Sequence, residues 1–329
     1  MSHTPSPYSA RETVGLLWRN LAGPSRANPA GQAFLPQQAV FNDIEPAITV
    51  GFAGDIMMMF NRKLAFGAGL RHFFADCDHV LANLEGVITD LPKRGPDQKH
   101  TPDIIDALAT LAAPERMLLS VANNHCGDFG ATACRDSMAM FADRGFHLFG
   151  MAETPYADPA PQLRVVTGTQ WSNRGGDHLA WLENPERHVR PGAVNILFPH
   201  WGHEMLCYPR AGLHAQARHW LEHFDAIIGH HSHTPQPVSA VPTAQGSKPV
   251  AWSLGDFCFG LGYRHWPALK HYPWGIVVKM RLGPRRNGSH AGWAVGELQW
   301  RFTDCAPQPS GQGFVTGIVD RIPYFPAPA

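Results

Sequence analysis

Five apolar runs in this 329-residue chain each end in a cluster of side chains able to bind a metal. Ile48-Thr49-Val50-Gly51-Phe52-Ala53 runs into Gly54-Asp55, and His79 to Leu84 ends in Asn83-Leu84-Glu85. Met117 to Ala122 leads to Asn123-Asn124-His125, with Asp128 close behind. Ile196-Leu197-Phe198-Pro199 leads to His200-Trp201-Gly202-His203-Glu204, and Asp225-Ala226-Ile227-Ile228 stops at Gly229 before His230-His231-Ser232-His233. Short apolar runs of this kind read as buried strands. In open α/β sheets, ligands bind beyond the carboxyl ends of the strands. The pattern therefore demands a fold that carries five strand ends, with their Asp, Glu, Asn and His residues, to one edge.

The remaining elements fit a mixed α/β fold with more than one sheet. Helices are expected over 62–74, 102–112, 131–144 and 212–223. The second has Pro102 near its start and Ile104, Leu108 and Leu111 on one face, and Gly145 closes the third. Further strands are expected near 147–151, 163–168, 249–254, 274–282 and 295–303. Residues 1–44, rich in Pro, Ser, Ala and Asn, read as an irregular N-terminal arm. Residues 45–304 read as a single domain, large enough to bury a substantial core. Residues 305–329 read as a Pro/Gly-rich C-terminal tail over the surface. The polar, Trp-containing stretch 169–192 has the length of a lid or binding loop.

Composition removes several function classes. Lys plus Arg equals Asp plus Glu at 27 each, so no global basic field exists for nucleic acid or an anionic membrane. The six cysteines form no C-x-x-C pair and no regular framework, which favours reduced thiols and a cytoplasmic location. Residues 1–45 lack a basic start followed by an apolar core, so no signal peptide is expected. No run approaches the roughly 20 apolar residues of a membrane helix, so stable membrane insertion is not expected. Histidine is the outlier, with 19 residues, eight of them between His200 and His233.

Carboxylate, amide oxygen and imidazole together suit Zn, Mn or Fe. A bridging carboxylate can hold two such ions roughly 3.5–4 Å apart, where they activate water and neutralise a phosphoryl or tetrahedral anion. His231 and His233 lie two apart, so an extended segment turns both to one side and His230 to the other. His230 is accordingly assigned a structural role. His203, His214, His219 and His223 fit a solvated helix and its approach, and Trp201 is expected to pack beneath the site. Other chemistries lack their signatures. His203-Glu204-Met205-Leu206-Cys207 has Cys207 where a zinc protease needs its second histidine, and the chain holds no nucleophile elbow, P-loop or dinucleotide fingerprint.

The order of the motifs resembles the CapA family, associated with poly-γ-glutamate capsule synthesis and similar to calcineurin-like metallophosphoesterases. The resemblance rests on Gly54-Asp55-Ile56-Met57, Asn83-Leu84-Glu85-Gly86, Asn123 to Gly130, His200 to Glu204, Gly229 to His233 and Ser253-Leu254-Gly255-Asp256-Phe257, spanning about residues 48–260. It implies a four-layer α/β/β/α sandwich of two mixed sheets. It implies one or two divalent ions (Mn, Zn or Fe), with Asp55 and His233 at the first position and Glu85 bridging. Asn124, His200 and His231 would serve the second position. His125 would be the general acid or transition-state stabiliser, oriented by Asp128, with Glu204 a further polar group.

Three departures stand out. Met57 occupies a position that is histidine in the wider superfamily, Glu85 stands for the usual Asp, and Asp256 for the usual Asn. The extra charge of Asp256 would help bind metal or repel an anionic substrate. The function implied is a metal-dependent hydrolase in which metal-activated water attacks a phosphoester, or an amide of a glutamate-like polymer, in capsule or polymer biosynthesis. The alternative is a non-catalytic metal-containing factor for polymer assembly or binding. Either reading expects an anionic small-molecule or polymer partner.

Overall fold

A computed structural model of the chain describes residues 8–261, 270–286, 292–308, 311 and 313–325. In chain order the strands begin with β1 (Gln38–Val40), β2 (Ile48–Ile56), β3 (Lys63–Phe66), β4 (His79–Leu84), β5 (Val87–Ile88) and β6 (Lys99–His100). They continue with β7 (Met117–Ser120), β8 (His147–Phe149), β9 (Tyr156–Ala160), β10 (Leu163–Thr169), β11 (Val194–His200) and β12 (Ala226–Ile228). The last six are β13 (Val238–Thr243), β14 (Gly246–Ala251), β15 (Asp256–Cys258), β16 (Trp274–Pro284), β17 (Trp293–Pro307) and β18 (Gly313–Val319). The α-helices are α1 (Ala10–Ala22), α2 (Ala68–Phe74), α3 (Asp103–Ala109), α4 (Gly130–Ala142) and α5 (Ala211–Trp220).

Among the described residues these strands build two large mixed sheets. The first runs β3-β18-β17-β16-β2-β4-β7-β8, with β1 on β17 and β15 on β2. The second runs β13-β14-β12-β11-β10-β9. β2, β4, β7 and β8 are mutually parallel, as are β10, β11, β12 and β14, so their carboxyl ends share an edge within each sheet.

The core follows from strand alternation. On β11, Val194, Ile196 and Phe198 join Val50, Phe52 and Leu81 of the first sheet in one apolar cluster between the sheets. Leu197 points the other way, to a cluster with Ala217 and Trp220 of α5. The first sheet's other face packs Ala82 and Leu119 against Leu70 and Phe74 of α2, Ile104 and Leu108 of α3, and Phe141 of α4. Each buried Val, Leu, Ile or Phe among them contributes about 1.5–3 kcal/mol.

Several expectations need correction. Residues 1–44 are not irregular throughout. Ser9 caps α1 by accepting from the Glu12 backbone N–H at 3.3 Å, and β1 pairs with β17. The expected helix 62–74 is split at Gly67, because Lys63–Phe66 finds a parallel partner in β18. That same β18 comes from the stretch expected to be a surface tail. β9 and β13, the two edges of the second sheet, contain Pro159 and Pro242, and edges are where a strand tolerates proline. Residues 1–7 of the expected arm and 309–310, 312 and 326–329 of the expected tail lie outside the described residues. All six cysteines are buried, and no disulfide joins any of them. Among the described residues, no helix is long and apolar enough to cross a membrane.

Candidate metal centre

Neighbouring parallel strands deliver the first half of the centre. Asp55 near the end of β2 is in register with Asn83 near the end of β4, and Glu85 follows β4 directly. Asn124, His125 and Asp128 sit in the turn after β7, ahead of α4. The second sheet supplies His200, the last residue of β11, and the loop after β12. Asp256 opens β15, opposite Asp55. Of the ten residues singled out in the sequence, nine are buried and Glu204 is half-buried.

The histidine loop reaches the centre by a different geometry from the one expected. β12 ends at Ile228, a single bridge joins His230 to His200, and His231 and His233 then take positive φ of 97° and 51°. Such conformations cost on the order of 1–3 kcal/mol each in non-glycine residues and gather at functional sites. The bend, rather than a pleat, brings the two rings to 5.8 Å between centroids. His230 consequently does not face away. Its Nδ1 lies 2.9 Å from His200 Nδ1 and 3.2 Å from Asp55 Oδ1. Gly229 begins the bend because a Cβ there would stand 2.1 Å from Trp201 Nε1.

Asparagines brace the acidic groups. The Asn83 amide donates to Asp55 Oδ1 at 2.8 Å, and Asn123 donates to Asn83 Oδ1 at 3.0 Å and to the Leu84 carbonyl at 2.8 Å. Asp55 Oδ2 accepts the His231 backbone N–H at 2.9 Å. Asn124 Oδ1 lies 2.8 Å from His200 Nε2. Asn83 and Asn123 lay within the sequence motifs but received no role there; their position just beyond the apolar runs was the available signal.

The donor set fits a divalent ion. One donor atom each from Glu85, His200 and His231 lie within 4.8 Å of one another, and so do donors from Asp55, His233 and Asp256. Further groupings join Asp55 with His200 and His230, and Glu204 with His231 and His233. Glu85 Oε1, Asp256 Oδ2, His230 Nε2 and both ring nitrogens of His231 are buried without a hydrogen-bond partner among the described residues. Buried polar atoms are normally satisfied, and a buried charge is costly unless paired or coordinated.

The charges show the same strain. Burial and the neighbouring Asp55 push the Glu85 carboxyl well above its usual range, and burial raises Asp256 to about 7. Burial opposes the charge on Asp55 too, but His230, His233 and Asn83 outweigh it and hold that carboxyl low. Burial first, then the neighbouring imidazoles, depress His200 and His231 well below the ordinary histidine range, leaving them neutral, the form that binds metal. At His233, Asp256 and Glu85 overcome burial and raise the imidazole.

His125 faces this cluster from the side. Its Nδ1 is 2.6 Å from Asp128 Oδ2, and its Nε2 is 3.8 Å from Glu85 Oε1. Asp128 is itself held by the Gln98 backbone N–H at 2.9 Å. A cavity of about 440 Å³ opens over His125, His233 and Glu204. Met57, Met58 and Phe259 form an apolar wall, while Lys93, Gln98 and Asn173 supply polar groups. The stretch 169–192 reaches the centre. Trp171 packs its ring edgewise on His231 at 4.3 Å, and Asn173 Nδ2 lies 3.2 Å from His125 Nδ1. Arg174 pairs with Asp97 across the cavity side at 2.8 Å. From the N-terminal segment, the Glu204 backbone N–H donates to Tyr8 Oη at 2.9 Å, and Asn20 accepts from the Tyr272 hydroxyl. Nothing in the sequence pattern pointed to Tyr8, Asn20 or Tyr272, because their role depends on where α1 docks.

Comparison with known proteins follows the same residues. The family described as bacterial capsule synthesis protein PGA_cap matches residues 49–175 and 177–261. The chain is 24% identical over 268 residues to PGA biosynthesis protein CapA of Bacillus subtilis (strain 168), covering 71% of this chain and 68% of that protein. It is 27% identical over 215 residues to a probable polyglutamine synthesis accessory protein of Mycobacterium tuberculosis, covering 54% of this chain and 55% of the relative.

Proposed function

The chain belongs to the bacterial capsule synthesis protein family PGA_cap, and from that membership and the centre's geometry we propose that it is a metal-dependent hydrolase of anionic substrates. The substrate class is a phosphoester or an amide of a glutamate-type polymer. The packing of helices outside both sheets supports a four-layer α/β/β/α arrangement of the calcineurin-like kind. The six cysteines, none of them in a disulfide, support a reducing, cytoplasmic setting.

One observation carries the proposal. Donor atoms of Glu85, His200 and His231 lie within 4.8 Å of one another, as do those of Asp55, His233 and Asp256, and His233 and Asn124 also line a cavity of about 440 Å³. Asp55 and His233 would hold one ion, Asn124, His200 and His231 a second, with Glu85 between them. A divalent ion there supplies Lewis acidity that activates water and neutralises developing negative charge. Asp128 accepts from His125 Nδ1, which leaves Nε2 turned toward Glu85 and the cavity. From there His125 can hold a proton for the leaving group. Lys93, Gln98 and Asn173 meet the anionic part of the substrate, and Trp171 shields His231 from water.

The test is to measure bound metal and then assay a generic phosphoester and a γ-glutamyl amide with manganese or zinc added. Turnover abolished in His125→Ala with metal retained supports the hydrolase. The second reading is a non-catalytic polymer-assembly or binding factor, in which Lys93 at the cavity would meet a polyanion without turning it over. Metal bound without turnover on either substrate would select it. Absence of bound transition metal under every loading condition would sink both.

A further inference from the structure

Asp256 is fully buried where β15 opens, opposite Asp55. Its Oδ1 lies 2.8 Å from His233 Nδ1, and its Oδ2 has no hydrogen-bond partner among the described residues. His233 turns that same nitrogen toward Asp55 Oδ2 at 3.9 Å. Donors of Asp55, His233 and Asp256 thus lie within 4.8 Å of one another. Ligands of one ion, each bonded at roughly 2.0–2.2 Å, stand at separations of this order. The nearby Met57 packs in an apolar cluster with Met58 and Phe259.

The geometry points to Asp256 as a protein ligand of the metal position formed with Asp55 and His233. The inference rests on the metal-centre reading above. Its consequence is chemical asymmetry. This position offers two carboxylates and one imidazole, whereas the group of Glu85, His200 and His231 offers one carboxylate and two imidazoles. Oxygen-rich donor sets suit hard divalent ions such as manganese, and imidazole-rich sets suit zinc.

The rival role for Asp256 is to hold the His233 ring by accepting from Nδ1–H, as carboxylates behind metal-bound histidines do. Asp256→Asn separates the two, because an amide oxygen still accepts from Nδ1–H but the charge and the free carboxylate oxygen are gone. The metal-free proteins are equilibrated with manganese alone, and bound metal is counted by mass spectrometry. The expected result is two equivalents in the wild type and one in Asp256→Asn, the retained equivalent being lost when His231→Ala is added. Metal-free melting curves show that the variant is folded; if it is not, Asp256→Ser is counted in its place with the same expectation. Two equivalents retained by Asp256→Asn at wild-type affinity would overturn the assignment and leave the metal centre standing. No manganese or zinc in the wild type would instead overturn the metal centre itself, and the assignment with it.

Discussion

Asp128 Oδ2 stands 2.6 Å from His125 Nδ1 and also accepts the Gln98 backbone N–H at 2.9 Å, so the carboxylate is fixed before it fixes the imidazole. Asp128 is therefore a positioning residue, acting on substrate only through the His125 ring. Asp128→Asn should lower kcat by about 10–100-fold, the range for groups that orient a site residue from behind. KM and bound metal should stay near wild type. Steady-state kinetics across pH, with metal content measured on the same samples, checks this. Loss of metal with loss of activity would show that Asp128 serves the fold rather than His125.

Chelation should destabilise the protein. Glu85, Asp256 and Asp55 are fully buried close together; imidazoles and the Asn83 amide offset their charge, yet the Glu85 and Asp256 carboxyls stay raised. An ion present at 100 times its Kd stabilises by about 2.7 kcal/mol per site. In a domain of this size that corresponds to several degrees in Tm. Scanning calorimetry with and without chelator should show the drop, and readdition of manganese or zinc should reverse it. In Asp55→Asn the difference should shrink, because a charged donor has been removed.

Much of this centre was legible in the sequence, for a physical reason. A ligand that must be fixed sits at the end of a buried strand, and a buried strand announces itself as an apolar run. Asp55, Glu85, His200 and the histidine loop were found that way, and the structure gathers all of them. What could not be read was direction beyond the strand end. His230 was assigned to the outside because strand alternation was extended past Ile228, where the backbone actually bends through positive φ at His231. Segments with no apolar run gave weaker signals. Ser9-x-x-Glu12 is a capping-box spacing and does begin α1, but its helix buries no residue and so lacks the inward stripe that identifies a core helix. β3 exists because it pairs with β18, and β18 because it also pairs with β17, long-range facts that neither segment carries alone.

Acid sensitivity should trace in part to His100. The residue is buried beneath the centre, its Nε2 is 3.1 Å from the Glu85 carbonyl, and its Nδ1 has no partner. Burial lowers its pKa from 6.5 to about 4, against a smaller opposing effect of the Glu85 carbonyl. Between those values the unfolded chain binds a proton that the folded chain refuses, so stability falls as pH drops from about 6.5 toward 4. The loss is of order 3 kcal/mol, at about 1.36 kcal/mol per pH unit. Denaturant melts of the metal-free protein at pH 4.5 and 7.5 should show a smaller difference in His100→Gln than in the wild type. Equal differences in the two proteins would assign the acid sensitivity elsewhere.

Gly229→Ala should be among the most damaging single methyl additions. The new Cβ would stand 2.1 Å from Trp201 Nε1 and 2.5 Å from the Trp252 carbonyl, two groups already joined by a 2.9 Å hydrogen bond. Trp201 also stacks between Trp220 and Trp252, with ring centroids at 5.6 and 6.1 Å, so it has no room to retreat. Relief therefore requires the backbone at 229 to shift, and that backbone sets where His230, His231 and His233 point. Overpacking of this kind costs about 1–3 kcal/mol, and more where a hydrogen bond is broken as well. Urea melts of the metal-free variant should show a loss of about 3 kcal/mol or more. A folded fraction recovered at low temperature should bind less metal than the wild type, since the displaced loop carries two of the proposed ligands. Wild-type stability with wild-type metal content would mean that the tryptophan stack yields, and that the loop is held by its contacts with Asp55 instead.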